Sequence, residues 1–403
     1  MKLVQINAVY GYGSTGLIVK DIGDAVEADG GETLFVYQKA QTIPQHGFCT
    51  GNPVDWKVHA LYTRLTGKQA FASKAATERL IRYLRKEKPD VVHLHNLHAN
   101  YINLPLLLEF LAREDIATVI TLHDCWFFTG KCTHFAAIGC EAWRTGCGNC
   151  PKRLESPASL LCDTSAQVLA EKSALYRKIR RLTVVGCSKW ITELARQSPA
   201  FTGCRITQIY NGVDTSVFRP LDKNQCRRKH GVSADFVMLG MANKWLDRRN
   251  EAVFHEIIRQ FSTNEALILI GCTPEQTSSL SGIDGVLPVG FIKSREVLAE
   301  YYNAADLFCN LTFEDTLPTV NMEAISCGTP VVTYDSCGSP ELIEEGRTGF
   351  VVKQGDIVGL IKAFDKIKNG EIDRTTCRDS AVKSFEKKAR YQEYLALYKS
   401  VIQ

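Results

Sequence analysis

"VYGYGSTGLIV" (residues 9–19) sets Gly11, Gly13 and Gly16 in the spacing G-x-G-x-x-G. The run before it, "KLVQINAVY", is apolar and β-branched like a strand, and the run after it, "TGLIVKDIGDAVEADG", has apolar residues at helical spacing. A strand, a glycine turn and a helix in that order form a βα unit. Its turn lets backbone N–H groups approach an anion at the start of the helix.

The same rhythm runs outward along the chain. "ETLFVYQ", "PDVVHLHN", "IATVITLHD" and "LTVVGCS" follow with helical patterns between them, and after residue 235 it restarts with "DFVMLGMAN", "EALILIGC", "GVLPVGFI", "ADLFCNLT", "TPVVTYD" and "TGFVVKQ". Short apolar strands separated by helices imply right-handed crossovers and parallel sheets covered on both faces. The expected fold class is therefore α/β, with two Rossmann-like doubly wound domains. A polar, turn-rich stretch, "QIYNGVDTSVFRPLDKNQCRRKHGV" (208–232), interrupts the rhythm. It sets the expected domains at 1–207 and 208–385, with a final helix, 386–403, packing back on the first.

Composition limits the function classes. With 403 residues, 45% hydrophobic and 23% charged, the chain reads as an ordinary globular protein. No stretch approaches the roughly 20 apolar residues that span a bilayer, and the N-terminus lacks the apolar region and cleavage site of a signal peptide. The expected location is cytoplasmic. A net charge of +4 is too small to point to nucleic acid. Basic runs at "ERLIRYLRKEK" (78–88) and "YRKIRR" (176–181) suit peripheral association with an anionic membrane, with a solvated helix face as the alternative.

Whether the glycines serve a dinucleotide depends on an acidic residue about 20 positions on, at the end of the second strand. Gln38 and Lys39 stand there instead. An NADP-dependent oxidoreductase survives only if Lys39 meets a phosphate.

A more specific string is "FEDTLPTVNMEAISCGTPVVTYDSCGSPELI" (313–343). A helix beginning near Thr319 after "TLPT" (Thr316, Leu317, Pro318, Thr319) offers unpaired N–H groups to a diphosphate. Glu323, about one turn in, can accept hydrogen bonds from two vicinal ribose hydroxyls.

At these residues the chain resembles the retaining GT-B glycosyltransferases of family 4, whose signature is E-x7-E followed by A-x-x-C/A-G-T-P-V. The resemblance covers nearly the whole chain: "GYGSTG", "NGVDTSVFRP" (211–220) and "AADLF" (304–308) match family segments. "PDVVHLHNLHANYIN", "TLHDCWFFTGKC" and "GCGNCP" are most similar to the branch that assembles bacterial exopolysaccharide, capsule and colanic-acid-type repeat units.

The resemblance implies two domains facing a central cleft. It also implies transfer of a sugar from a UDP- or GDP-sugar to a lipid-linked or soluble saccharide. Gly13 and Gly16 would face the donor diphosphate, and Asp315, standing where the family has Glu, would face the transferred sugar. In "GMANKWLDRRNE" (240–251), Lys244 and Arg249 would grip the diphosphate, with Arg248 in reserve. No D-x-D metal-binding pair occurs, so these cations replace a divalent ion in the expected chemistry.

His123 ends the strand "TVITLHD" at the carboxyl edge of a parallel sheet, and the resemblance places it beside the donor sugar. Asp124 would orient the ring or bind the acceptor, and Ser14, His95 and Asn96 complete the acceptor candidates. His93 and His95 share a strand face, so a metal site is the competing reading. No nucleophile with its own base emerges. The family's expected front-face displacement, in which the leaving phosphate deprotonates the acceptor, needs none.

Of the fifteen cysteines, Cys132, Cys140, Cys147 and Cys150 cluster in the loop 125–151. A C-x-x-C pair with two more thiols suits a structural zinc, with disulfides or free thiols as alternatives. The rival functions are a GT-B-like sugar-nucleotide epimerase and a nucleotide-sugar-binding protein without transfer activity.

Overall fold

A computed structural model of the chain describes residues 1–402. It divides into two compact units, Met1–Asn211 together with the chain from Lys388 onward, and Gly212–Lys387.

The first unit is built on a seven-stranded sheet in the order Gly47–Cys49, Glu32–Tyr37, Lys2–Ile6, Val91–Leu94, Ala117–Leu122, Leu182–Gly186, Arg205–Gln208. Every neighbouring pair is parallel. Its centre is apolar on both faces, and all six residues of Ala117–Leu122 are buried, as helices on both sides of a parallel sheet require. Lys2–Ile6 pairs with Glu32–Val36 on one side and, from Leu3, with Val91–Leu94 on the other. Chain order therefore reverses between Lys2–Ile6 and Val91–Leu94, and the ends of these two strands open the crevice in which such folds bind ligands.

The helix Lys387–Ile402 belongs largely to this unit. Tyr391, Tyr394, Leu395 and Tyr398 join Leu3, Val91 and Val119 in one apolar cluster. Buried hydroxyls need partners, and two of these tyrosines find them in the sheet: Tyr398 Oη lies 2.7 Å from His93 Nδ1, and Tyr394 Oη 3.0 Å from Thr121 Oγ1.

The second unit repeats the plan with six parallel strands in the order Val286–Val289, Glu265–Ile270, Phe236–Met241, Leu307–Asn310, Val331–Tyr334, Gly349–Val352. The order again reverses at the first strand in sequence, between Phe236–Met241 and Leu307–Asn310. Arg378 ties the entry of this unit to its core, donating to the carbonyls of Thr215 (2.9 Å), Phe218 (2.8 Å) and Ser326 (3.0 Å).

Candidate functional site

In the second unit a cavity of about 390 Å³ opens at the carboxyl ends of the strands flanking the reversal. Met241, Lys244, Ile270, Asn310, Asp315 and Thr319 are among its lining residues. The helix Thr319–Ser326 begins at its wall, with Pro318 as an N-cap that supplies no side-chain acceptor and no acid in the first turn. The first-turn N–H groups and the helix dipole thus favour an anion there. Asp315 accepts a hydrogen bond from the Leu317 N–H at 3.1 Å, which shapes the turn into the helix.

Glu323 lies one turn inside that helix, half-buried, with Tyr302 Oη donating to its Oε2 at 3.1 Å. Burial pushes its carboxyl above the usual range, opposed by Arg295 and by the Tyr302 hydroxyl. Asn310 Nδ2 donates to Asn321 Oδ1 at 2.8 Å. Asn310 Oδ1, Asn321 Nδ2 and Thr316 Oγ1 are buried with no protein hydrogen-bond partner. Unpaired buried polar atoms are costly, and of these three residues Asn310 lines the cavity, where a polar ligand or water suits it. Leu317 is buried beside them as packing.

The basic segment is held by a tight approach. Trp245 lies so close to Gly240 that a Cβ there would sit 2.1 Å from Trp245 Nε1, and this nitrogen donates to the Cys309 carbonyl at 2.9 Å. Asn250 Nδ2 donates to the carbonyls of Lys244 (2.8 Å) and Leu311 (2.9 Å), while its Oδ1 accepts from Tyr334 Oη at 2.9 Å. Lys244 is thereby presented at the cavity wall. Arg249 is placed differently. Its guanidinium is exposed, forms two hydrogen bonds with Asp247 at 3.0 and 2.6 Å, and stacks over Phe313 with 4.0 Å to the ring centroid. Two of its five N–H donors are thereby committed to Asp247. Arg248 is exposed on the same turn. Asn250 and Tyr302 carried no sequence signal, because an amide or a phenol becomes meaningful only when its partners from distant strands are known.

In the first unit Gly11 (φ 76°) and Gly13 (φ 65°) adopt backbone conformations that disfavour side chains, and Gly16 sits so close that a Cβ would be 3.3 Å from the Val9 carbonyl oxygen. They bring the chain into the helix Gly13–Ala28, whose N-cap, Tyr12, makes no capping side-chain bond. Ser14 is exposed in its first turn.

Beyond the carboxyl ends of the neighbouring strands lies a chain of imidazoles. His95 is fully buried, with Nδ1 2.9 Å from His123 Nε2 and Nε2 3.1 Å from Gln5 Oε1. Both ring nitrogens of His95, which the sequence offered as an acceptor contact, are therefore engaged within the protein. His93 is likewise enclosed by Tyr398 and Thr121. Burial lowers the His123 imidazole to about 4, with Asp124 opposing and His98 adding to the fall. Asp124 itself is pushed up by burial but more strongly held down by His98, whose Nε2 lies 2.8 Å from Oδ2, and by the Trp126 N–H at 2.9 Å. Asn96 is fixed by its backbone N–H, which donates to Asn7 Oδ1 at 3.0 Å, leaving its own side chain half-buried.

The cysteine-rich loop is held by two lysines. Lys172 Nζ, fully buried, donates to the carbonyls of Trp126 (2.7 Å) and Thr129 (3.2 Å) and lies 3.4 Å from the centre of the Trp126 ring. Lys131 Nζ donates to the carbonyls of Lys152 (2.6 Å), Arg153 (3.0 Å) and Glu155 (3.1 Å). Cys132, Cys140, Cys147 and Cys150 line one small cavity of about 20 Å³ beside Trp143. Cys132 and Cys150 hydrogen-bond to each other, which pulls the Cys150 thiol down. Cys147 Sγ accepts from the Gly130 N–H at 3.3 Å. The four thiols share a cavity, yet among the described residues no group of three or more His, Cys, Asp or Glu side chains is gathered so that it could hold a metal ion. That includes the histidines at 93 and 95.

Comparison with known proteins adds to this geometry. Residues 18–217 match the family described as "Glycosyltransferase Family 4", and residues 234–369 match "Glycosyl transferases group 1". The chain is 27% identical to the putative colanic acid biosynthesis glycosyl transferase WcaC of Escherichia coli K12, over 79% of this chain and 78% of that protein. It is 26% identical to the N-acetyl-alpha-D-glucosaminyl L-malate synthase of Bacillus anthracis, over 49% of this chain and 54% of that one. Among solved structures, the sucrose-phosphate synthase of Thermosynechococcus elongatus superposes with a TM-score of 0.70 at 17% identity, covering 99% of this chain and 98% of that one. Anabaena Alr3699/HepE in complex with UDP-glucose gives 0.65 at 16% identity, covering 99% and 100%. These likenesses establish the GT-B fold.

Proposed function

Because the chain belongs to glycosyltransferase family 4, we propose that it moves a sugar, with retention of anomeric configuration and without a catalytic metal, from a nucleoside-diphosphate sugar to a saccharide acceptor. The acceptor is a lipid-linked or soluble saccharide of the kind used in exopolysaccharide, capsule or O-antigen assembly. The assignment to polysaccharide assembly is supported by the likeness to WcaC, and a nucleotide-sugar donor, a UDP- or GDP-sugar in this reading, by the complex of the structural neighbour with UDP-glucose.

The observation that carries the reading is the cavity at the strand reversal of the second sheet, which puts Lys244, Asp315 and an uncapped helix start around one space. Glu323 holds the ribose, and Lys244 with the helix N–H groups neutralises the diphosphate as it leaves. Arg249 joins them. Asp315 meets the transferred sugar. In the first unit the glycine turn and neutral His123 serve the sugar side of the reaction, with Ser14, Asn96 and Asp124 as acceptor contacts. The departing phosphate oxygen takes the proton of the attacking hydroxyl, so no separate base is required.

The test is a panel of UDP- and GDP-sugars with oligosaccharide acceptors, assayed in EDTA. The proposal expects nucleoside diphosphate release coupled to a product with the donor's anomeric configuration. Release that depends on added magnesium, or inversion, contradicts it.

A structural zinc at the four thiols is the other part of this reading. A cavity of about 20 Å³ accepts one ion-sized occupant, and binding requires the thiols to turn onto the metal from their described positions. Metal analysis of protein purified without chelator should find one zinc per chain; none, with four titratable thiols in its place, removes it.

A further inference from the structure

The helix Pro53–Thr66 is built inside out. It is well capped, with the Asn52 side chain accepting from the N–H groups of Val54 and Asp55 and Gly67 closing its end. Its buried residues are polar: His59 Nδ1 lies 2.7 Å from Ser73 Oγ, and Thr63 Oγ1 donates to Asn100 Oδ1 at 2.9 Å. Its outward face is aliphatic: Val54, Val58, Leu61 and Leu65, at helical spacing, are 68%, 61%, 58% and 38% exposed. A helix on a solvated surface has the opposite pattern.

The stripe continues past the helix end. The Leu160 N–H donates to the Arg64 carbonyl at 2.7 Å and Thr164 Oγ1 to the Thr66 carbonyl at 2.8 Å, which sets the loop 154–161 beside it. Leu154, Leu160 and Leu161 on that loop are 65%, 54% and 74% exposed. Between helix and loop lies a cavity of about 350 Å³ with Arg64 in its wall.

We infer that this face docks on an anionic lipid bilayer, its leucines and valines sinking into the headgroup–acyl boundary and Lys57 and Arg64 meeting lipid phosphates. Three observations choose lipid over a protein partner. The exposed apolar side chains are aliphatic throughout, whereas protein interfaces concentrate aromatic anchors. Lys57 and Arg64 are exposed on the helix itself. The nearby acids are already engaged: Asp55 with the Asn52 N–H (3.0 Å) and Arg79 (3.7 Å), Glu155 with Lys152 (3.3 Å), Asp163 with the Cys150 N–H (2.7 Å).

In the two basic runs that the sequence offered for this role, Arg79, Arg85, Lys178 and Arg180 pair with Asp55, Glu114, Glu109 and Asp115. An interfacial helix binds by its buried apolar area plus the attraction of its basic residues to anionic lipid.

The inference extends the lipid-linked form of the acceptor reading but is tested without any sugar, so each can fail alone. The full chain is sedimented with vesicles of phosphatidylglycerol and phosphatidylethanolamine, and with vesicles of phosphatidylcholine. Binding should be about tenfold or more tighter to the anionic vesicles. The double variant Val58→Glu/Leu61→Glu should lose vesicle binding while keeping the wild-type melting temperature, because both sites are exposed. Lys57→Gln/Arg64→Gln should lose the anionic preference and keep weak binding to both. Wild-type protein that binds neither vesicle, or a Val58→Glu/Leu61→Glu variant that binds like wild type, overturns the inference. So does a dimer in solution that Leu61→Glu dissociates with no vesicle binding, which makes a second copy the occupant.

Discussion

His95 Nδ1 and His123 Nε2 stand 2.9 Å apart, and the direction of that hydrogen bond is fixed two residues away. Gln5 Nε2 lies 2.8 Å from the Val19 carbonyl, which can only accept, so the amide nitrogen faces Val19 and Oε1 faces His95. His95 Nε2 must then carry its proton, His95 Nδ1 must accept, and His123 Nε2 must donate. Neutral His123 is left with a bare Nδ1. Nitrogen-15 NMR of the histidines at pH 7 should show protonated Nε2 and unprotonated Nδ1 at both residues. A Nδ1–H tautomer at His123 contradicts this, and Gln5→Leu should disturb the pattern at His95 and His123 while the fold survives.

The imidazoles also predict how stability varies with pH. His59 and His123 are lowered to about 4 by burial, and burial lowers His93 and His95 in the same direction. Between about pH 6.5 and pH 4 the unfolded chain binds protons that the folded chain refuses, so unfolding free energy falls as pH falls. Each histidine contributes a slope of up to about 1.4 kcal/mol per pH unit, and the contribution of His59 and His123 levels off below about pH 4. Urea midpoints should drop from pH 7 to pH 5, less steeply in His59→Asn. Equal midpoints at the two pH values would show the rings to be hydrated.

The support beneath Lys244 makes a packing prediction. Gly240→Ala puts a methyl 2.1 Å from Trp245 Nε1, an overlap that should cost about 1–3 kcal/mol and displace the basic segment. Nucleotide affinity should fall with stability. Asn250→Ala removes two carbonyl partners and strands the buried Tyr334 hydroxyl, for a loss of about 1–3 kcal/mol. Denaturation and calorimetric titration with UDP and GDP read both effects. Wild-type behaviour in either variant separates these residues from the site.

Much of this was legible in the sequence, and the gaps have physical causes. Strands such as Ala117–Leu122 and Phe236–Met241 announce themselves because both faces of a parallel sheet are buried and the run must be apolar. Gly47–Cys49 and Arg205–Gln208 escape because an edge strand is short and half-exposed. The turn at 315–319 and Glu323 were readable as a string. The bidentate hold of Asp247 on Arg249 was not, since two adjacent opposite charges in a loop carry no directional information. Nor was the inverted helix at 53–66, where pattern alone would have turned the aliphatic face inward.

The central claim is that a nucleoside diphosphate binds at the second sheet's reversal with its ribose on Glu323. Calorimetric titration of UDP and GDP into wild-type protein and Glu323→Ala tests it most directly. Losing hydrogen bonds from two hydroxyls to a charged acceptor should weaken the preferred nucleotide by roughly tenfold or more, with the protein still folded, its melting temperature lowered only by the loss of the Tyr302 partner, and no detectable transfer. An unchanged dissociation constant with near-normal turnover would contradict it.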